Sequence, residues 1–319
     1  MRGTVALLAA LLALAGVAGC GGDGAEPGVP QGATLVLDFT PNAVHSGIYA
    51  ALDRSFYDEA GVDLTVRQPG ESSDAPKLLA AGRTDFAILD IHDLGIARES
   101  GLDLVGAMPI VQRPLAAVIA PADGPVRRPR DLAGRTVGVT GLPSDEAVVD
   151  SEVGANGGDP ARVKAVTIGF NAVSSLAAGQ VDAATGFWNS EAVALRREGI
   201  PVRVFKVDDY GAPPYPELVL ATSRRTLERD PGLVAAVVAA TRRGYGFAER
   251  HPTAALDDLL AGNPALDRSD QQAQLEALLP DLRPAPFDRA VLREWAAWDL
   301  EHGLLQRPLD VDAAFDLDG

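Results

Sequence analysis

The chain has 319 residues, 47% of them hydrophobic, 23% charged and only 5% aromatic, which excludes a disordered, collagen-like or polytopic membrane chain and leaves room for one large domain or two lobes. Forty-four acidic against 28 basic residues give a formal net charge of −16, which argues against nucleic acid as a partner and favours a dispersed monomer. The single cysteine excludes an internal disulfide and a cysteine-ligated metal or iron–sulfur cluster.

That cysteine is Cys20, at the end of the only long apolar run. Arg2 supplies a positive start, Val5 to Val17 is dominated by Ala, Leu and Val, and Val17-Ala18-Gly19-Cys20 closes the run with small residues. The layout is that of a secretory signal over residues 1–19. Small residues before a cysteine resemble the bacterial lipobox, which implies lipidation at Cys20 and a membrane-anchored, extracytoplasmic product. A transmembrane anchor is the alternative; the Gly-rich exit and the position of the cysteine favour cleavage. Residues 20–33 then read as a lipidated tether, too polar and Gly/Pro-rich to pack.

From Thr34 onward, short β-rich runs alternate with helical stretches. The strands predicted in order are Thr34–Phe39, Asp63–Gln68, Asp85–Asp90, Ala116–Pro121, Thr136–Gly141, Val163–Gly169, Asp182–Phe187 and Val202–Val207. Several are near-continuous Val/Ile/Leu/Ala, as buried parallel strands require. Ile48, Leu52 and Phe56 make an apolar helical stripe that Gly61 is placed to end. The alternation predicts an α/β fold with right-handed crossovers. Leu79-Ala-Ala-Gly-Arg-Thr-Asp85 recurs 97 residues later as Leu176-Ala-Ala-Gly-Gln-Val-Asp182, which predicts two similar α/β lobes. Residues 34–118 with 213–319 are expected as lobe 1 and 119–212 as lobe 2, joined by hinges near Leu115–Ile119 and Tyr210–Glu217. The last 107 residues read as mostly helical, with Asp230-Pro231 and His251-Pro252 as helix starts.

Ligands of such lobes bind at the C-terminal ends of the strands. After the first strand comes Asp38-Phe39-Thr40-Pro41-Asn42-Ala43-Val44-His45-Ser46-Gly47-Ile48-Tyr49, and the second lobe carries Gly186-Phe187-Trp188-Asn189-Ser190-Glu191. The first segment resembles the Asp/Asn-Trp-x-Pro-Asn-x-x-His-x-Gly-Ile-Tyr stretch of the thiamine-pyrimidine-precursor binding proteins, which are related to fungal hydroxymethylpyrimidine synthase. The second resembles that family's Gly-Tyr-Trp-Asn-x-Glu loop. Gln112-Arg113-Pro114-Leu115, Val139–Asp145 and Tyr210–Pro213 sit where the family, and broader sulfonate- and nitrate-type relatives, have similar segments. The resemblance implies a two-lobed periplasmic-binding-protein-like (type II) α/β fold with a hinge and an inter-lobe ligand cleft. It also implies a lipoprotein or periplasmic receptor that feeds a permease and ATPase of an ABC importer and binds a small aminomethylpyrimidine-type ligand, with no cofactor.

An aminopyrimidine needs aromatic faces, acceptors for its exocyclic amine and donors for its ring nitrogens. Phe39, standing where the family usually has Trp, and Trp188 are placed to sandwich the ring from opposite lobes. Asp38 and Glu191 can accept from the amine, and Asn42, His45 and Asn189 can donate. Each has a plainer alternative: core aromatics for Phe39 and Trp188, turn chemistry for Asn42, a helix start for Glu191 and Asp145. Asp90 and His92 share a face, but the four histidines show no metal-ligand spacing; His92 is expected to line the cleft or to satisfy a loop carbonyl. Two further functions stay in view. The same fold could take a sulfonate or nitrate, yet these loops offer Asp38, Asp145 and Glu191 where an oxyanion wants Arg, Lys or free helix-end N–H groups. For a pyrimidine synthase the resemblance to the fungal enzyme implies a cofactor-bearing lysine just before His92 and a cysteine-rich motif, and this chain has lysines only at 77, 164 and 206 and its one cysteine at Cys20.

Overall fold

In the computed structural model, residues 30–70 and 74–317 are described. Cys20 and the proposed signal segment therefore lie outside the described residues. The first strand begins earlier than its hydrophobic run suggests: β1 is Gln31–Val36 and pairs along its whole length with β2, Val62–Arg67. Gln31 to Ala33, expected in the tether, are strand because Gln31 N–H donates to Gly61 O at 2.8 Å and each residue then finds a partner on β2.

All eight predicted strands are present, as β1, β2, β3 (Phe86–Asp90), β5 (Ala116–Pro121), β6 (Thr136–Val139), β7 (Lys164–Thr167), β8 (Ala183–Phe187) and β9 (Val202–Lys206). Two more complete the sheets: β4 (Leu104–Pro109) and β10 (Leu218–Ser223). The order is β2-β1-β3-β10-β4 in one five-stranded sheet and β7-β6-β8-β5-β9 in the other. The first three strands in each order pair in parallel. The fourth, β10 or β5, arrives from the opposite lobe and runs antiparallel to both of its neighbours. The sheets are therefore mixed, because each lobe receives one strand through a crossover instead of a helical return. β5 lies wholly in the second sheet, so the first crossover precedes Ala116 and does not fall at 118/119.

The sequence echo is a structural repeat. Gly82 and Gly179 end equivalent helices with φ of +66° and +64°, a conformation natural to glycine. Each helix closes with the same pair of bonds, Gly82 N–H to Leu79 O and Arg83 N–H to Leu78 O, matched by Gly179 to Leu176 and Gln180 to Ser175. Asp85 Oδ2 then accepts from Thr34 N at 2.9 Å, and Asp182 Oδ2 from Thr136 N at 2.9 Å. In both lobes an aspartate ties the strand after the helix to the first strand of its sheet.

The C-terminal helices pack on the first sheet and reach the second lobe. The helix Arg289–Glu301 buries Leu292, Trp295 and Trp298, and the Trp298 indole N–H donates to Ser151 Oγ of the helix Ser144–Ala155 at 3.2 Å. One buried cluster runs from Leu89 and Trp295 through Tyr215 to Val118 and Val137, so the core is continuous across the crossovers.

Candidate functional site

A cavity of about 320 Å³ lies between the two sheets, lined from both lobes by the loops that follow the strands. This is the low end of small-molecule sites. Asp38, Phe39, Asn42, His92, Asn189 and Glu191 line it; His45 and Trp188 do not.

The loop after β1 is built around Asn42. Its Oδ1 accepts from Val44 N at 3.0 Å and its Nδ2 donates to Thr40 O at 3.0 Å, the turn chemistry that starts the short helix Ala43–His45. His45 is fully buried. Its Nδ1 accepts from Asn42 N at 3.2 Å, which leaves the proton on Nε2, and that N–H donates to Asp38 Oδ1 at 2.8 Å. His45 is thus a positioning residue. It holds the partly exposed Asp38 carboxylate at the cleft with one oxygen not taken by the histidine.

Trp188 corrects the expected sandwich. It is 5% exposed and packs in the core with Leu115 and Ala117; its Nε1–H donates to Pro114 O at 2.8 Å, and Lys206 Nζ lies 3.7 Å from the ring centroid. A strand residue alternates faces, and the step from β8 into its loop turns Phe187 to the cleft and Trp188 away from it. Phe39 instead meets Phe170, at 5.3 Å between ring centroids and 46° between planes. They are 41% and 59% exposed. A ring held between them would need about 7 Å, twice one stacking distance, so the pair closes the mouth of the cleft.

Carboxyl groups dominate the polar lining: Asp38, Asp90, Asp93, Asp145, Glu191 and Glu217, with no Lys or Arg among the described lining residues. Three helices beside the cleft carry a carboxylate at or next to their first residue, and of these only Asp90 caps an N–H group of its own helix. Asp90 Oδ1 accepts from His92 N at 2.7 Å at the start of Ile91–Glu99. Asp145 Oδ2 takes Gly141 N, Leu142 N and Thr140 Oγ1 at 2.7 to 2.9 Å, while its Oδ1 takes Thr185 Oγ1 at 2.6 Å. Glu191, the first residue of Glu191–Arg197, accepts from Phe187 N at 2.8 Å, and burial raises its carboxyl above the usual range. Its helix-start role is real, and it lines the cleft as well.

At the hinge end of the cleft, Glu217 Oε2 accepts from Leu115 N at 2.5 Å and Ala116 N at 3.4 Å, joining the two crossover segments. Burial, and then the neighbouring Asp90 carboxylate, push Glu217 up to about 8. Burial and Asp90 likewise raise Asp93 to about 7. His92 is buried, with Nδ1 2.8 Å from Asp299 Oδ1 and Nε2 3.1 Å from Tyr215 Oη. Burial lowers its imidazole, but Asp299, with Asp90 and Glu217, outweighs that and raises it to about 10. Its partners are side chains and not the expected loop carbonyl.

Phe170, Phe187, Asp93, Glu217, Gln271 and Gln274 line the cleft without having been singled out from the sequence. Glu217 carried a signal, a lone charge directly before the apolar run Leu218–Ala221. The two glutamines carried none, because only the fold brings their helix beside a loop more than two hundred residues earlier.

The same fold is found in the alkanesulfonate-binding protein SsuA from Xanthomonas axonopodis pv. citri, with a TM-score of 0.73 at 17% identity over 90% of this chain and 99% of that one. Over 88% of both chains the sequence is 31% identical to the formylaminopyrimidine-binding protein of Halalkalibacterium halodurans. It is 24% identical, over 89% of both, to the 4-amino-5-hydroxymethyl-2-methylpyrimidine phosphate synthase of Legionella pneumophila. The family model described as NMT1/THI5 like matches residues 42–255, and the chain belongs to that family.

Proposed function

We propose that the chain is the extracytoplasmic solute-binding component of an ABC importer and captures an uncharged aminopyrimidine, a precursor of thiamine, between its lobes. The observation that carries this reading is the carboxylate lining. Three helices beside the cleft carry Asp90, Asp145 and Glu191 at or next to their first residues, where an incoming anion would meet like charge, and no Lys or Arg lines the site among the described residues. A sulfonate, a nitrate or a phosphate ester would meet like charge. An exocyclic amine would meet acceptors, and Ile88, Leu89, Leu115, Phe187 and Leu218 supply the apolar walls for a flat ring. The name of the 31% identical relative points to the same ligand class.

The synthase alternative draws on the Legionella relative, but the cleft offers no lysine, and no lysine stands just before His92. A binding role accounts for the residues better. The lobes would part and close about the two crossovers, near residues 110–116 and 207–217, with Phe39 and Phe170 as the clasp at the mouth. Cys20 would carry the lipid anchor; Cys20→Ala should release the protein from membrane fractions without altering ligand binding, and retention at high salt would place the anchor elsewhere.

Titration calorimetry with 4-amino-5-hydroxymethyl-2-methylpyrimidine, its phosphate ester, an alkanesulfonate and nitrate tests the function. The alcohol should bind roughly a hundredfold more tightly than any of the anions. Preference for an anion would overturn the reading.

A further inference from the structure

Beside the Phe39–Phe170 clasp, an ionic contact joins the two lobes. The helix Glu191–Arg197 of the second lobe starts at the cleft, where Glu191 lines the wall, and ends about 9 Å further on at Arg197. There the guanidinium donates through Nε to Asp270 Oδ1 and through Nη2 to Ser269 Oγ, both on the first turn of the helix Arg268–Leu278. The first lobe builds the receptor for it. Asp267 caps that helix, its Oδ1 accepting from Asp270 N at 2.9 Å and from the Ser269 hydroxyl at 2.5 Å. The Ser269 proton is thus committed to Asp267 and its lone pairs face the guanidinium. Two carboxylates, one direct and one through an oriented hydroxyl, serve an arginine of the opposite lobe. Asp270 adjoins Gln271, which with Gln274 lines the cavity, so each partner stands on a short helix whose other residues form a cleft wall. Other exposed arginine pairs, Arg243 with Glu59 and Arg268 with Asp257, stay within the first lobe.

We propose that Arg197 is an interlobe latch, whose bonds to Asp270 and Ser269 form only when the lobes are closed and set how long a bound solute is retained. This deepens, and rests on, the reading of the cleft as a solute site. Opening about the crossovers carries Arg197 away with the second lobe and leaves Asp267, Ser269 and Asp270 on the first, so the pair is lost in the open form. An interaction made in only one of two states shifts their populations by its own free energy. An exposed pair is weak, and the shift is accordingly a few-fold. Because it favours the closed form alone, it acts on dissociation and hardly on encounter. Arg197 does not line the cavity; it is a positioning residue that holds two cleft walls together.

The test uses the whole chain and measures stopped-flow dissociation of whichever compound the wild type binds most tightly among 4-amino-5-hydroxymethyl-2-methylpyrimidine, its phosphate ester, an alkanesulfonate and nitrate. Arg197→Ala should speed dissociation about threefold and Arg197→Glu, which sets like charges against each other, about tenfold, with association changed little. The exchanged pair Arg197→Glu/Asp270→Arg should return the rate to within about twofold of the wild type. In 1 M sodium chloride, where the screening length is about 3 Å, the rates of the wild type and Arg197→Glu should converge. Melting of the free variants should match the wild type, and Arg243→Glu, which breaks an equally exposed pair inside the first lobe, should leave dissociation as it was. Unchanged dissociation in Arg197→Glu, or a loss that the exchanged pair does not restore, would overturn the latch while leaving the aminopyrimidine reading standing. An anion as the tightest-bound compound would overturn that reading, and the same set of variants would still decide the latch.

Discussion

The loops after β1 and β6 occupy equivalent places in the two lobes, each holding an aspartate beside the cleft, yet they use it in opposite ways. Asp145 is surrounded: four donors from Thr140, Gly141, Leu142 and Thr185 converge on its two oxygens. Asp38 has a single side-chain partner, the Nε2–H of a buried histidine that itself is oriented by Asn42 N–H. One carboxylate completes the loop that contains it; the other is held out towards the cavity. Asp145 is thus committed to its own loop, while the Asp38 carboxylate, the residue we propose for recognition, stays at the cavity with one side-chain partner. The same division separates the neighbours Phe187 and Trp188, the first on the cleft and the second in the core.

The largest effect that would break this comparison is on stability in the second lobe. Trp188→Ala should cost about 3–5 kcal/mol of folding free energy, as for a buried aromatic. Asp145→Asn should cost about 1–3 kcal/mol for each donor left facing the new amide. Denaturant melts read both, and a Trp188→Ala chain of unchanged stability would return that residue to the cleft wall.

Asp38→Asn and Glu191→Gln should do the reverse. Each removes a charge-assisted acceptor from the ligand, worth about 1.5–3 kcal/mol of binding, near ten- to a hundredfold in affinity. Asp38→Asn should leave the melt almost unchanged. Glu191→Gln should lower it modestly, since Phe187 N–H also loses its carboxylate. Calorimetric titration of the hydroxymethylpyrimidine checks both, and unchanged affinity in either variant removes that side chain from the site.

A smaller effect concerns pH. Glu217 goes from 4.5 to about 8, Asp93 from 3.8 to about 7 and His92 from 6.5 to about 10 on folding. All three hold protons more tightly in the folded chain, so the folded state binds more protons than the unfolded one and stability falls as pH rises. The loss should fall between pH 5 and 8, and because the groups interact it should be smaller than the separate displacements would sum to. Melting temperatures across that range check it, and Glu217→Gln should flatten the slope; stability that rises with pH would contradict the hinge cluster.

The strands were legible because their runs are short, apolar and bounded by turn residues, and the repeat was legible because Gly and Asp recur at one spacing. β4 and β10 were not. β4 contains Gly106 and ends on Pro109, residues that read as breaks; Gly106 is needed because a Cβ there would lie 2.6 Å from the Phe315 ring. β10 lies in a stretch whose helices dominate the pattern, and its antiparallel place between β3 and β4 follows from the crossover, which no local run encodes. In the site, Asp38, Phe39, Asn42, Asn189 and Glu191 were legible through the two loops that carry them, and His92 through its place directly after a predicted strand. The direction in which Trp188 points, the Phe170 clasp and the glutamine wall arise only when the lobes come together.

The most direct test of the account is a crystal structure of the chain with 4-amino-5-hydroxymethyl-2-methylpyrimidine. It should show the ring enclosed between the two sheets behind Phe39 and Phe170, with its amine within about 3.2 Å of a cleft carboxylate oxygen. A ligand seated outside that cavity, or one whose amine meets none of the cleft carboxylates, would contradict it.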